Sequence, residues 1–214
     1  MSSGFLAQHW DEIATLTVEH LWLTGVAMLF ATAVSVPLGI LLARRRGLAR
    51  PVLGVVNTLQ TIPSLAMFGF LLPLPFIGER AARIAIVALV AYALLPIVRN
   101  TYAGITGVDA TVMDVARTVG MTSGQLLWKV ELPLAMPFIL AGLRTATVMC
   151  VGIATIAAAV GAGGLGELIF RGVASVDNRL VLAGAVPSAI LALAADGVLG
   201  LLEWKLRTPG AGRP

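Results

Sequence analysis

Apolar runs of roughly 20 residues recur along this chain, the length a helix needs to cross the hydrocarbon core of a bilayer. Inside that core water cannot serve backbone N–H and C=O groups, so each run has to bond to itself as a helix. The spacing predicts five such helices, at about 21–43, 52–73, 81–98, 136–160 and 180–203. Composition agrees: hydrophobic residues make up 58% of the chain and charged ones 12%, where soluble domains carry about 25% charge. The expectation is an all-α integral membrane protein with one transmembrane domain over residues 1–214. A short segment from Phe5 to Val18 is expected to lie along the membrane surface before span one.

The basic residues cluster at the ends of the spans, which favours a topological role over a nucleic-acid face despite a pI near 10.0. Arg44, Arg45, Arg46 and Arg50 follow span one; Arg99, Arg117 and Lys129 follow span three; Lys205, Arg207 and Arg213 follow span five. These ten oppose four on the other side, Arg80, Arg83, Arg171 and Arg179. Positive charge stays inside, so the predicted topology puts residues 99–135 and the C-terminus in the cytoplasm and the N-terminus outside. Residues 1–20 hold Asp11, Glu12 and Glu19 but no Lys or Arg, opposite to a basic leader, so no cleavable signal is expected. Cys150 stands alone inside an apolar span and reads as a small buried residue.

Between spans three and four lies a polar island, Asp109 to Pro133, that reads as two short helices around a glycine. Asp109 is placed to cap the first, whose apolar face carries Val112, Val115, Ala116 and Val119. Gly120 falls where a helix end favours a left-handed residue. Thr122 and Gln125 have the spacing of a capping box for the second helix. A plain connector needs none of this. The hairpin therefore reads as a docking surface for a soluble partner.

Pro37, Pro63, Pro96 and Pro187 fall within or near the ends of spans, where each removes a donor and can bend its helix. Gly161, Gly163, Gly164 and Gly166 follow span four and read as an external gate or a packing element. Their G-x-G-x-x-G spacing has no strand before it, which argues against a dinucleotide site. His9 and His20 form no histidine cluster and read as interfacial polar residues rather than metal ligands. No catalytic constellation is present in the pattern. Two charges, Arg144 and Asp196, fall inside spans four and five; each is expensive there, so an ion pair or a wet pathway is expected. Phe68, Phe70, Tyr92 and Trp22 are the aromatic candidates for contact with a cation, with helix packing as the alternative.

The island resembles the cytoplasmic signature loop of binding-protein-dependent ABC importer permeases, at Asp114, Val115, Ala116, Gly120, Leu132 and Pro133. Asp114 and Val115 depart from the usual Glu and Ala but keep acidity and apolarity. The segments Gln60–Ala66, Tyr92–Tyr102 and Gly161–Gly166 are similar to the osmoprotectant branch of that family, whose members import glycine betaine, carnitine, choline and related solutes. The resemblance implies a type I importer permease fold with a coupling-helix hairpin. It implies that Asp114, Val115, Ala116, Arg117, Val119, Gly120 and Met121 dock on a cytoplasmic ATPase dimer, which binds ATP and Mg while this chain binds no cofactor. A second permease subunit, identical or sister, and an extracytoplasmic solute-binding protein complete the implied assembly in the cell inner membrane. Glu167 and Arg171 are expected either to meet that binding protein or to stand as solvated loop charges. The alternatives are an importer of methionine or another amino acid, and a stand-alone secondary transporter, for which no inverted repeat is evident.

Overall fold

The computed structural model describes residues 9–206. Within them the chain forms helices α1 (Trp10–Arg44), α2 (Arg46–Thr61), α3 (Ser64–Leu71), α4 (Ala81–Thr106), α5 (Ala110–Thr118) and α6 (Ser123–Leu126). A π-turn, Leu127–Glu131, joins α6 to α7 (Leu132–Ala157), and α8 (Gly166–Ala174) and α9 (Asn178–Leu206) follow. Four segments are long and apolar enough to cross a membrane: α1, α4, Ser123–Val160 and α9. A fifth crossing exists if α2 and α3 count as one span, bent by 99°.

Three features differ from the sequence expectation. The segment expected on the membrane surface is part of α1 from Trp10 onward, with Asp11 and Glu12 in a first turn whose dipole favours them. Phe5 to Gln8 lie outside the described residues. The connector expected over 99–135 is narrower, because α4 runs on to Thr106 and helix resumes at Ser123. Span two, expected as one helix over 52–73 that Pro63 can bend, divides into two helices at Ile62 and Pro63.

The break has a chemical cause. Pro63 has no N–H and holds the preceding residue extended, so Ile62 sits at φ −71°, ψ 125°. The Tyr92 hydroxyl of α4 donates to the freed Ile62 carbonyl. In return, Pro96 deprives the Tyr92 carbonyl of its helical donor, and the Gln60 side-chain amide donates to that carbonyl at 2.8 Å. Two proline defects in different helices thus satisfy each other, as a bilayer requires.

The core is the α1–α4–α7 layer. Ala27 and Ala31 of α1 meet Leu89, Ala93 and Ile97 of α4 and Ala146, Cys150 and Ala154 of α7, all buried. Small residues let the backbones come close. At Gly142 of α7, a Cβ would stand 2.7 Å from the Pro96 carbonyl oxygen, so α4 and α7 touch only because that side chain is absent. Helix α9 packs on α7 and α8 from outside, and its most apolar stretch is unburied.

Candidate docking hairpin and intramembrane polar sites

Short-range hydrogen bonds build the hairpin between α4 and α7. The Asp109 carboxylate accepts from the Thr111 N–H at 2.6 Å, starting α5 and holding its own pKa below the usual carboxylate value. At the other end Gly120 takes φ +83°, a conformation costly for any residue with a Cβ. The Gly120 N–H donates to the Arg117 carbonyl at 2.9 Å and the Met121 N–H to Ala116 at 3.2 Å, the paired closure of a Schellman motif. The next residue opens α6 with a complete capping box: Gln125 N–H to Thr122 Oγ1 at 3.3 Å, and Thr122 N–H to Gln125 Oε1 at 2.9 Å.

Stop and start are therefore fixed by residues 116–125 alone, and the hairpin needs little from the bundle. Of α5, only Ala116 is buried. Val112, Val115 and Val119 are 43%, 61% and 69% exposed. Asp114 and Arg117 form an exposed ion pair at 3.2 Å on the same short helix. The stapled helix thus leaves a valine face uncovered within this chain.

Between α7 and the outer helix α9, the partly exposed Arg144 and Asp196 meet in a two-pronged pair: Nε to Oδ1 and Nη2 to Oδ2, each at 2.6 Å. Glu203, further along α9, approaches Arg144 Nη1 at 3.6 Å. These charges border a cavity of about 550 Å³ that Thr145, Val148 and Met149 also line. The cost of charge inside a span marks Arg144 and Asp196 in the sequence. Nothing there marks Glu203, which sits in the last turns of the helix where charges are ordinary.

The glycine loop closes the opposite end of α7. Gly161, Gly163 and Gly164 take φ values of +76°, +83° and +81°, and Gly166 starts α8 with no room for a Cβ beneath the Thr155 carbonyl. The loop rests on α1: the Gly164 N–H donates to Glu19 Oε2 at 3.1 Å, and His20 lies beneath Gly164. His20 is fully buried, with Nε2 3.1 Å from the Val151 carbonyl oxygen, and is not the interfacial residue expected. Its partners lie in α7 and the loop, more than a hundred residues away, so no local signal places it inside. Glu167 and Arg171 belong to α8, not to a loop; Arg171 pairs with Glu12 of α1. Among the described residues no group of His, Cys, Asp and Glu has the arrangement of a metal site.

The aromatic candidates separate. Phe68 and Tyr92 are buried in one cluster, whereas Phe70 and Trp22 are 65% and 54% exposed. Sequence reasoning also misses Glu131, which is 2% exposed at the end of the π-turn and takes both prongs of Arg44 from the end of α1.

The fold defines the class: a helical integral membrane protein with a self-capped hairpin between two of its spans. The family model described as "Binding-protein-dependent transport system inner membrane component" matches residues 35–208, and this chain belongs to that family. It is 42% identical over 209 residues to the choline transport system permease protein OpuBB of Bacillus subtilis (strain 168), covering 98% of this chain and 95% of that one. It is also 42% identical over 206 residues to the glycine betaine/carnitine/choline transport system permease protein OpuCB of the same organism, covering 96% and 94%. Among solved structures, an inward-facing form of the MetNI methionine ABC transporter matches at a TM-score of 0.82 and 24% identity, over 97% of this chain and 100% of that one. That likeness establishes the type I importer permease fold. The chain is thus a membrane-embedded permease subunit of a binding-protein-dependent ABC importer.

Proposed function

We propose that this subunit forms part of the pathway of an ATP-driven importer for quaternary-ammonium compatible solutes of the glycine betaine, carnitine and choline type. The substrate class follows from relatives at 42% identity over nearly the whole chain, whose names carry those solutes. A methionine reading has only fold likeness behind it. The observation that carries the mechanical part is the uncovered valine face of α5, Val112, Val115 and Val119, held between the Asp109 cap and the Gly120 closure.

In this reading residues Asp114 to Met121 seat in a groove of a cytoplasmic ATPase subunit, which binds ATP and Mg. Each of two permease subunits offers one hairpin to the ATPase pair, and a separate solute-binding protein delivers the solute at the other face. The excess of Arg and Lys beside the hairpin and after α9 supports a cytoplasmic hairpin and C-terminus and an external N-terminus. ATP-driven closure moves the hairpins, and the bundle changes access because the ATPase dimer engages one bundle state better than the other. The chain itself contributes no catalytic group.

The test is solute uptake by vesicles holding the complete transporter, with labelled choline, glycine betaine, carnitine and methionine offered in turn. ATP-dependent uptake of the quaternary-ammonium solutes, and not methionine, is expected; uptake of methionine alone would refute the substrate class. In the same vesicles Gly120→Val should block ATPase retention. No atom lies within 4 Å of a Cβ built at Gly120, so the substitution acts through backbone strain of about 1–2 kcal/mol, not through a clash inside this chain. Normal retention and transport by that variant would overturn the docking role.

A further inference from the structure

Arg44 is the last residue of α1, and Glu131 ends the π-turn that leads from the hairpin into α7. They lie 87 positions apart in sequence, yet Arg44 Nη1 donates to Glu131 Oε1 at 2.9 Å while Nη2 meets Oε2. The Glu131 side chain is 3% exposed. Around the pair, Ile40 and Ala43 of α1 join Leu127 of the π-turn and Leu132 of α7 in one apolar cluster with Ile105, Ala135 and Ile139. Apolar packing already joins these elements, and an ion pair with one buried partner, Glu131, and one half-exposed partner, Arg44, adds little stability over a well-packed apolar substitute. What a two-pronged guanidinium–carboxylate pair adds is a fixed orientation.

The surroundings say why orientation matters at this point. Helix α5 buries only Ala116, so a push on the hairpin is not absorbed by the bundle. It passes through α6 and the π-turn, which meets α1 first through the packing of Leu127 and then through the two-pronged contact of Glu131 with Arg44. From there α1 runs as one unbroken 35-residue helix. His20 stands about 36 Å from Arg44 at 1.5 Å per residue, and at that far end Glu19 and His20 support the glycine loop. One continuous helix, which passes Pro37 without a break, therefore touches the base of the hairpin at one end and the glycine loop at the other.

We propose that Arg44 and Glu131 are positioning residues that pass hairpin displacement to α1, which carries it to the Gly161–Gly166 loop, so that the pair sets how much solute moves per ATP hydrolysed. The proposal rests on the docking reading given above. Coupling of this kind needs a contiguous physical route, and the ion pair, the helix and the Glu19–Gly164 hydrogen bond supply one.

The experiment uses the complete transporter in vesicles and measures choline carried per ATP hydrolysed for Arg44→Lys, Glu131→Gln and the exchanged pair Arg44→Glu with Glu131→Arg. Arg44→Lys keeps the charge but loses the fork, so it carries the test even where Glu131→Gln does not assemble. Each assembled single variant is expected to lower the ratio roughly two- to thirtyfold, the size of coupling changes made by substitutions along such routes, and the exchanged pair should recover part of it. A wild-type ratio in assembled Arg44→Lys would overturn the proposal, as would an exchanged pair no better than Arg44→Lys. Cross-linking of Val115→Cys to the ATPase in the same preparation separates the two readings. Cross-links with an unchanged ratio sink the positioning role alone, whereas absent cross-links in the otherwise native complex sink the docking reading.

Discussion

The hairpin at 109–125 and the knot at Gln60, Ile62, Tyr92 and Pro96 solve the same problem, orphaned backbone groups, in opposite ways. In the hairpin every helix end is closed by a residue within five positions: Asp109 by Thr111, Gly120 by Arg117, Thr122 by Gln125. In the knot each orphaned carbonyl is served from another helix, 30 or 32 residues away. Local closure leaves a segment free to present a face to a partner. Distant closure locks two helices to each other. The first suits a part that must be gripped and the second a part that must move as a block.

Substitutions that break the interior should therefore cost stability, and those in the hairpin should cost partnership. The largest effect is expected for Gly142→Leu, which forces α7 away from the Pro96 carbonyl; overpacking of this kind costs about 3 kcal/mol, read as a fall in thermal midpoint of the detergent-purified subunit. Gln60→Leu leaves the Tyr92 carbonyl without a donor and should cost about 1–3 kcal/mol. Tyr92→Phe strips the Ile62 carbonyl in the same way. Combining the two should cost less than the sum of the singles, because both loosen one contact between α2 and α4; strict additivity would show that the two bonds are not one knot.

On the hairpin side, Val115→Asp should weaken ATPase retention at least tenfold, as a charge placed in an apolar groove does, while the stability of the subunit stays within about 0.5 kcal/mol of the native value. A parallel loss of stability would mean that the valine face belongs to this chain's own core. Thr122→Ala should speed amide exchange at Gln125 and its neighbours, a local loss of about 1 kcal/mol, without disturbing α7.

The smallest effect is pH-dependent. The Thr111 N–H holds the Asp109 carboxyl below its ordinary value. Its contribution to the start of α5 is then present above the ordinary carboxylate pKa and fades as pH falls through the lowered one. Amide exchange at Thr111 should accelerate only in that acidic window, and Asp109→Asn should remove the dependence.

The range of each contact also decides how legible it is in the amino-acid sequence. Asp109, Gly120, Thr122 and Gln125 act on near neighbours through residue-specific hydrogen bonds, so the sequence alone places both turns of the hairpin. The helices α1, α4, α7 and α9 are equally plain, because apolar length is a local property. The 99° break in span two is not, although Pro63 marks the spot. A proline permits a bend, but the Tyr92 hydroxyl and the Gln60 amide, which stabilise it, act across 30 or more positions that no local window spans. The same holds for His20, buried by α7 and the glycine loop, and for Glu131, a charge whose partner waits at the end of α1. Arg144 and Asp196 are the exception: the cost of charge in an apolar span is so large that each requires a partner, and few are available.

The most direct measurement is a short-range cross-link from Val115→Cys in the assembled transporter to cysteines placed along the surface of its ATPase. Cross-links confined to one groove, tightened or released by ATP, are what a gripped hairpin gives. A Val115→Cys thiol that labels freely in a transporting complex, or that cross-links only to its own bundle, would contradict the account.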